Sequence, residues 1–418
     1  MPDMNNDIKK ILIVGCGAKE YALAKKMQDF GCEVFVAPGN DAIKEIAQCV
    51  DIREDKVQEL LEYALENDIY LTVASSTTAI KNDIASFFQS NGQLIFAPTA
   101  KSAEIAVFNS SAKKFLYKLR IPSAHFGVYD KMQNLSDYLK SAPMPQVIRT
   151  DEAAIGKDRL VCTTFTSAKT FAQDLFDNGE KKVVLEDFIY GHEFTFYVVT
   201  DGYHALPLAS VANYKFMENE NGGILTSGIG AYTPDYKISN DIENYIMKNI
   251  IMNTLQALEK KNITYLGILG VDCVLDDVGK IITLNYKPFL SDHDAQAVLN
   301  LVDENLLRLF EACAVGSFAD DYDTINISDN ASVSCVLSSR LKDKSITGLD
   351  LVDCDVVPFA LKRNKYLEYE TIEGKNLVVT KTAKTLSRAR KELYEDIDVI
   401  KFEGKKYRTD ICENVDKF

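Results

Sequence analysis

Four residues near the start set the first constraint. Ile11-Leu12-Ile13-Val14 is an unbroken apolar run, the pattern of a strand covered on both faces. Gly15-Cys16-Gly17 interrupts it, and Glu20 to Phe30 then reads as a helix. Glu33-Val34-Phe35-Val36-Ala37 is a second strand, closed by Pro38-Gly39-Asn40. Val57, Leu60, Leu61 and Ala64 fall on one helical face. Leu71 to Ala74 and Leu94-Ile95-Phe96-Ala97 supply a third and a fourth strand. Strand and helix alternate, so the first hundred residues predict a parallel, doubly wound α/β sheet.

Near residue 109 the texture becomes α+β. Ser110-Ser111 caps a helix carrying Phe115 and Leu116, and Ile121-Pro122 ends it. Residues 193–199 and 203–206 flank Asp201-Gly202, a hairpin signal. Residues 270–275 and 280–284 around Asp276-Asp277-Val278-Gly279 predict a second hairpin, and 240–260 and 295–314 read as helices. Asn326 to Ala331 is a polar linker. Beyond it a smaller α+β module is expected, with strands near 333–337, 355–360 and 376–380 and a basic helix over Ser387 to Tyr394.

Composition excludes several classes. The 47 Lys+Arg against 61 Asp+Glu give a formal charge of −14, which repels duplex phosphate and argues against a nucleic-acid partner. No apolar run approaches the ~20 residues that span a bilayer. The opening MPDMNNDIKK lacks a basic stretch followed by an apolar core, so no secretory signal is expected. Nine cysteines, odd in number and without a CxxC, read as reduced thiols in a cytoplasmic protein.

Four motifs bear on chemistry. Gly15-Cys16-Gly17-Ala18-Lys19-Glu20 puts glycines between a strand and a helix N-terminus, where backbone N–H groups can meet a phosphate. Glu20 stands where a dinucleotide fingerprint has its third glycine, which argues against a nicotinamide or flavin cofactor; a plain tight turn is the competing reading. Arg149 through Gly156-Lys157 sets two cations around a small-residue loop, fit to cover a triphosphate or to be a solvated turn. Glu186-Asp187-Phe188 and Gly191-His192-Glu193 bring carboxylates to strand ends, where ribose hydroxyls can donate to them. Asp272 and Asn285 lie on the two arms of the second hairpin, with Lys287 beyond, and could offer magnesium a carboxylate and an amide oxygen. The four histidines show no metal-ligand spacing, and no G-x-S-x-G elbow occurs.

With these residues in hand the chain resembles the phosphoribosylamine–glycine ligase family of ATP-grasp enzymes. Val14 to Ala24 looks like the family's opening, and Ala37-Pro38-Gly39-Asn40, Pro98-Thr99-Ala100, Ile121-Pro122 and the Gly191…Glu193 pair match it. Gly228-Ile229-Gly230-Ala231-Tyr232-Thr233-Pro234 is similar to its substrate loop, and Tyr407-Arg408-Thr409-Asp410-Ile411 to its closing motif. The resemblance implies an N-terminal domain over 1–108, a two-lobed ATP-grasp domain over 109–325 (lobes 109–188 and 189–325) and a C-terminal domain over 326–418. It implies a ligase that joins glycine to phosphoribosylamine through an acyl phosphate, with ATP and magnesium. Lys113, Arg149, Lys157, Glu186 and Glu193 would surround ATP, with Lys215 and Lys287 at the reacting phosphate. Asp272 and Asn285 would hold the metal, and Gly15, Gly17, Asn40, Gly228 and Gly230 would meet the substrates.

The sequence departs from the family at working positions. Asn109 and Thr283 stand where the family has Lys and Glu, Arg149 and Lys287 where it has Lys and Arg, and Ala74-Ser75-Ser76 where it has Gly-Pro-Glu. Losing one such charged group costs on the order of 10²–10³ in rate. Two alternatives follow: a catalytically impaired homologue serving as nucleotide sensor or scaffold, and a ligase for another acid and amine.

Overall fold

The computed structural model describes residues 8–152, 159–359, 361–366 and 368–413. The expected α/β start is present. Strands Lys10–Gly15, Glu33–Pro38, Gln48–Cys49, Leu71–Ala74 and Ile95–Phe96 form one parallel sheet with Lys10–Gly15 at its centre. Ile11 and Ile13 enter one apolar cluster, Leu12 and Val14 another, on opposite sides of the sheet. An uninterrupted apolar run is what a strand needs when helices cover both faces.

Two larger antiparallel sheets follow, besides a two-stranded one formed by Leu361–Arg363 and Tyr369–Thr371. The smaller has four strands, in the order Phe126–Tyr129, Val183–Asp187, Gln146–Thr150, Arg159–Cys162. The larger has eight. Five come from the middle of the chain, Ile281–Lys287, Gly267–Leu275, His192–Thr200, Ala205–Glu218 and Gly222–Thr233, in that spatial order. The sheet then continues into the last module through Ala331–Ser339, Gly374–Ala383 and Asp355–Pro358. Gly230 pairs with Cys335 at the join. Helix Leu386–Val399 covers this end of the sheet through Ala389, Leu393 and Ile397.

Local chemistry explains where elements stop. In the first hairpin Asp201 Oδ1 accepts from the backbone N–H of Tyr203 (2.8 Å) and His204 (2.7 Å), so the return strand begins at Ala205 rather than Tyr203. The apolar segment 295–314 divides into helices Asp292–Leu299 and Leu306–Val315, because Asn305 caps the second with its side chain. The 240–260 segment is helical, with a π turn over Met247–Ile251. Cys16, Cys32, Cys49, Cys162, Cys273, Cys313, Cys335 and Cys354 are free thiols. Among the described residues no helix is long and apolar enough to cross a membrane.

Candidate active site

One wall belongs to the small sheet. Glu186 sits near the end of Val183–Asp187, beside strand Gln146–Thr150, which carries Arg149. Lys113, from helix Asn109–Lys118, reaches the same place from below. Glu186 is only 2% exposed and pairs with both Lys113 Nζ and Arg149 Nη2. Burial pushes its carboxyl upward, but the two cations outweigh that and hold it below the usual range. Burial pushes Lys113 down, with Glu186 opposing. Two cations to one carboxylate leave this wall net positive. Arg149 Nη1 also donates to Asn109 Oδ1 (3.3 Å), and Asn285 Nδ2 donates to the same oxygen (3.1 Å) from the large sheet. Asn109 is thus a polar bridge between the two sheets.

The opposite wall is one face of the large sheet. Thr195 pairs in register with Asp272, and Asp272 with Asn285, so the predicted hairpin does bring those two side by side. Lys287 Nζ lies 3.0 Å from Asp272 Oδ1 and 3.5 Å from Asp294 Oδ2. Lys215 Nζ lies 3.2 Å from Asp272 Oδ2 and also pairs with Glu193. Thr195 Oγ1 donates to Asp272 Oδ1 at 2.5 Å. Burial pushes the Asp272 carboxyl up, but Lys215 and Lys287 override it and hold the group far below the carboxylate range. Asn285 Oδ1 is buried and accepts no hydrogen bond among the described residues. Between the walls lies a cleft of about 1070 Å³, with Val147, Val161, Val274 and Leu284 among its apolar lining.

The expected substrate residues fall elsewhere. Asn40 lines a separate cavity of about 580 Å³ with Cys16, Lys44 and Phe359. Its Nδ2 donates to Cys16 O (2.8 Å), and its Oδ1 accepts from Ala42 and Ile43. Gly17 N–H donates to Glu20 Oε2 (2.7 Å), so the glycine turn already holds a carboxylate. Glu20 lies against Gly15. Gly228 and Gly230 line neither cavity. Gly230 faces Ile411, and Gly228, at φ +126°, lies flat on the His293 ring. A Cβ on Gly228 would fall 1.9 Å from His293 Cε1. Gly228→Ala is therefore expected to lower stability by about 1–3 kcal/mol through overpacking, plus the backbone strain. Urea unfolding measures it, and a further His293→Ala change should recover part of the loss.

His293 has a pH signature of its own. It is 1% exposed, and burial pushes its imidazole down to about 4, against the attraction of Asp294. The unfolded chain takes up this proton near 6.5 while the fold resists it. Stability from the neutral ring is thus complete above 6.5 and is lost as pH falls toward 4. The stability gap between the protein and His293→Gln should narrow over that window in denaturant titrations.

Asp294, Arg159 and Arg408 also belong to the site or its margin; the sequence marked only Arg408, through the closing motif and without a role. Lys157 lies outside the described residues. Among the described residues no three His, Cys, Asp or Glu side chains converge as a metal cage. Magnesium on a nucleotide needs less, since it keeps waters and phosphate oxygens and takes one or two protein ligands. One carboxylate beside an unpartnered amide oxygen fits that requirement.

A cleft between two antiparallel lobes, behind a parallel N-terminal domain, is the architecture of the ATP-grasp proteins. Residues 109–294 match the model of the phosphoribosylglycinamide synthetase ATP-grasp (A) domain, and 9–106 that of its N domain. The phosphoribosylamine–glycine ligase of Clostridium acetobutylicum is 30% identical over 415 residues, covering 96% of this chain and 99% of that one. The crystal structure of the Thermotoga maritima phosphoribosylamine–glycine ligase superposes with a TM-score of 0.82 at 25% identity, covering 96% of this chain and 100% of that one. The biotin carboxylase domain of Hydrogenobacter thermophilus 2-oxoglutarate carboxylase, solved with MgADP, shares the fold at a TM-score of 0.73 and 12% identity, over 96% of this chain and 91% of its own. The chain belongs to the phosphoribosylamine–glycine ligase family.

Proposed function

We propose that the chain is an ATP-dependent carboxylate–amine ligase that joins glycine to phosphoribosylamine in purine synthesis. The carrying observation is the opposed pair of walls: Lys113 and Arg149 on Glu186 across the cleft from Lys215 and Lys287 on Asp272. Transfer of a phosphoryl group asks a protein mainly to position groups and neutralise developing charge. Arg149 would offer a planar fork to phosphate oxygens, and Glu193 would accept from ribose hydroxyls. Lys215 and Lys287 would neutralise charge on the acyl phosphate that glycine forms. Asp272 and Asn285 Oδ1 would hold magnesium, which when bound draws charge from the phosphates. The amine then attacks the acyl carbon, and phosphate leaves.

Release of ADP from purified protein tests this. It is expected only when magnesium, ATP, glycine and phosphoribosylamine are all present. Release with another acid and amine would reassign the substrates. A thermal shift with ATP but no release with any pair would favour the sensor reading, which the bridging role of Asn109 supports.

A further inference from the structure

We propose that Arg408, in the C-terminal segment, is a positioning residue for Lys215: it grips the strand on either side of that residue and sets the ammonium against Glu193 and Asp272. The proposal rests on the reading of Lys215 as part of the reacting end of the cleft.

Lys215 lies where the large sheet is least able to hold it. Strand Ala205–Glu218 pairs with His192–Thr200 only as far as Ala212. Beyond that its only ladder partner among the described residues is Gly222–Thr233, and the register jumps on both sides of Phe216: Tyr214 pairs with Gly230, Phe216 with Leu225. Such a jump leaves residues outside the regular ladder and bends the strand. Side chains must then supply what the ladder does not. Thr226 Oγ1 donates to Lys215 O (2.7 Å).

Arg408 supplies the rest. Lys215 lines the cleft together with its neighbours Tyr214 and Phe216, and Arg408 and Asp410 reach the same cleft beside them. The Arg408 guanidinium stacks on the Tyr214 ring, 4.8 Å from its centroid, and Nη1 donates to Phe216 O at 3.1 Å. It therefore holds the residues on either side of Lys215. The guanidinium is itself fixed: Nε and Nη2 donate to the two oxygens of Asp410 (2.7 and 2.5 Å), Nη1 also reaches Asn221 Oδ1 (3.1 Å), and the residue is 1% exposed. Cys412 N–H donates to Tyr214 Oη (2.8 Å), a second tie from the same segment. A planar fork that is stacked on one residue and bonded to another cannot be replaced by a lysine.

The test labels surface-opened amines with N-hydroxysuccinimidyl acetate and reads each lysine by peptide mass spectrometry. In Arg408→Met, acylation of Lys215 should accelerate at least about tenfold, the scale of one lost charge-assisted hydrogen bond. Lys113, equally buried but in the other lobe, should change by less than about twofold. Arg408→Lys should fall between the protein and Arg408→Met. If Arg408→Met does not fold, Asp410→Asn, which keeps the guanidinium and frees it, must show the same pattern. An unchanged Lys215 rate, or Lys215 and Lys113 accelerating together, overturns the proposal. Where product forms, kcat should fall with little change in the nucleotide KM. Absence of product from the unaltered protein counts against the ligase reading alone, because the labelling comparison still decides the role of Arg408.

Discussion

Asp272→Asn is expected to destabilise the protein by about 3–5 kcal/mol, the cost of removing one partner from a buried ionic group. Asparagine keeps the shape and loses the charge. Lys215 and Lys287 would then face each other with only Glu193 and Asp294 to offset them. The pH dependence identifies the cause. The native carboxyl stays ionised well below 3.8, its ordinary value, because both lysines hold it, although burial opposes them. In the unfolded chain it takes up a proton there. Its contribution is thus full above that range and is lost as pH falls, so the gap between the protein and Asp272→Asn should shrink between about pH 5 and 3. A gap that stays constant on acidification would mean the loss is one of packing rather than of charge.

The second large effect is on rate. Lys287→Met should slow product formation by about 10²–10³-fold, as expected for one group aimed at developing phosphate charge. Affinity for ADP, measured by calorimetry, should fall by far less. An interaction made chiefly in the transition state lowers kcat and kcat/KM together, whereas a ground-state contact raises KM alone. Equal losses of affinity and rate would make Lys287 a binding residue only. Lys287 also faces the Tyr197 ring at 5.8 Å, so methionine keeps the apolar contact while removing the charge.

Sequence reasoning located this cleft because its residues lie on elements with strong local signals. The second hairpin announced itself through Asp276-Asp277-Val278-Gly279, so an approach of Asp272 to Asn285 was legible, but their direct pairing comes from a register shift between Asp272 and Cys273 that the turn does not encode. The glycine turn was legible as a turn, but its occupant was not, since Glu20 folding back onto Gly17 is a contact within one helical turn that competes with any ligand. Asp294 reaches Lys287 by tertiary packing of a helix onto the sheet, which no spacing encodes. The break at Asn305 shows the same limit at short range: apolar periodicity ran through it, and one capping side chain overrode it. Arg408 is the extreme case, 193 positions from Lys215 in sequence and joined to it only by the fold (408 − 215).

The sheet that runs from the cleft into the last module has a practical consequence for dissecting the molecule. Cutting the chain near 325 would strip the partner from Gly222–Thr233 and bare a row of backbone amides and carbonyls beside the apolar side chains of Ala231 and Tyr232. Such a raw margin recruits other chains. A fragment ending there should come out of cells as aggregate, and a minimal nucleotide-gripping unit has to carry its tail.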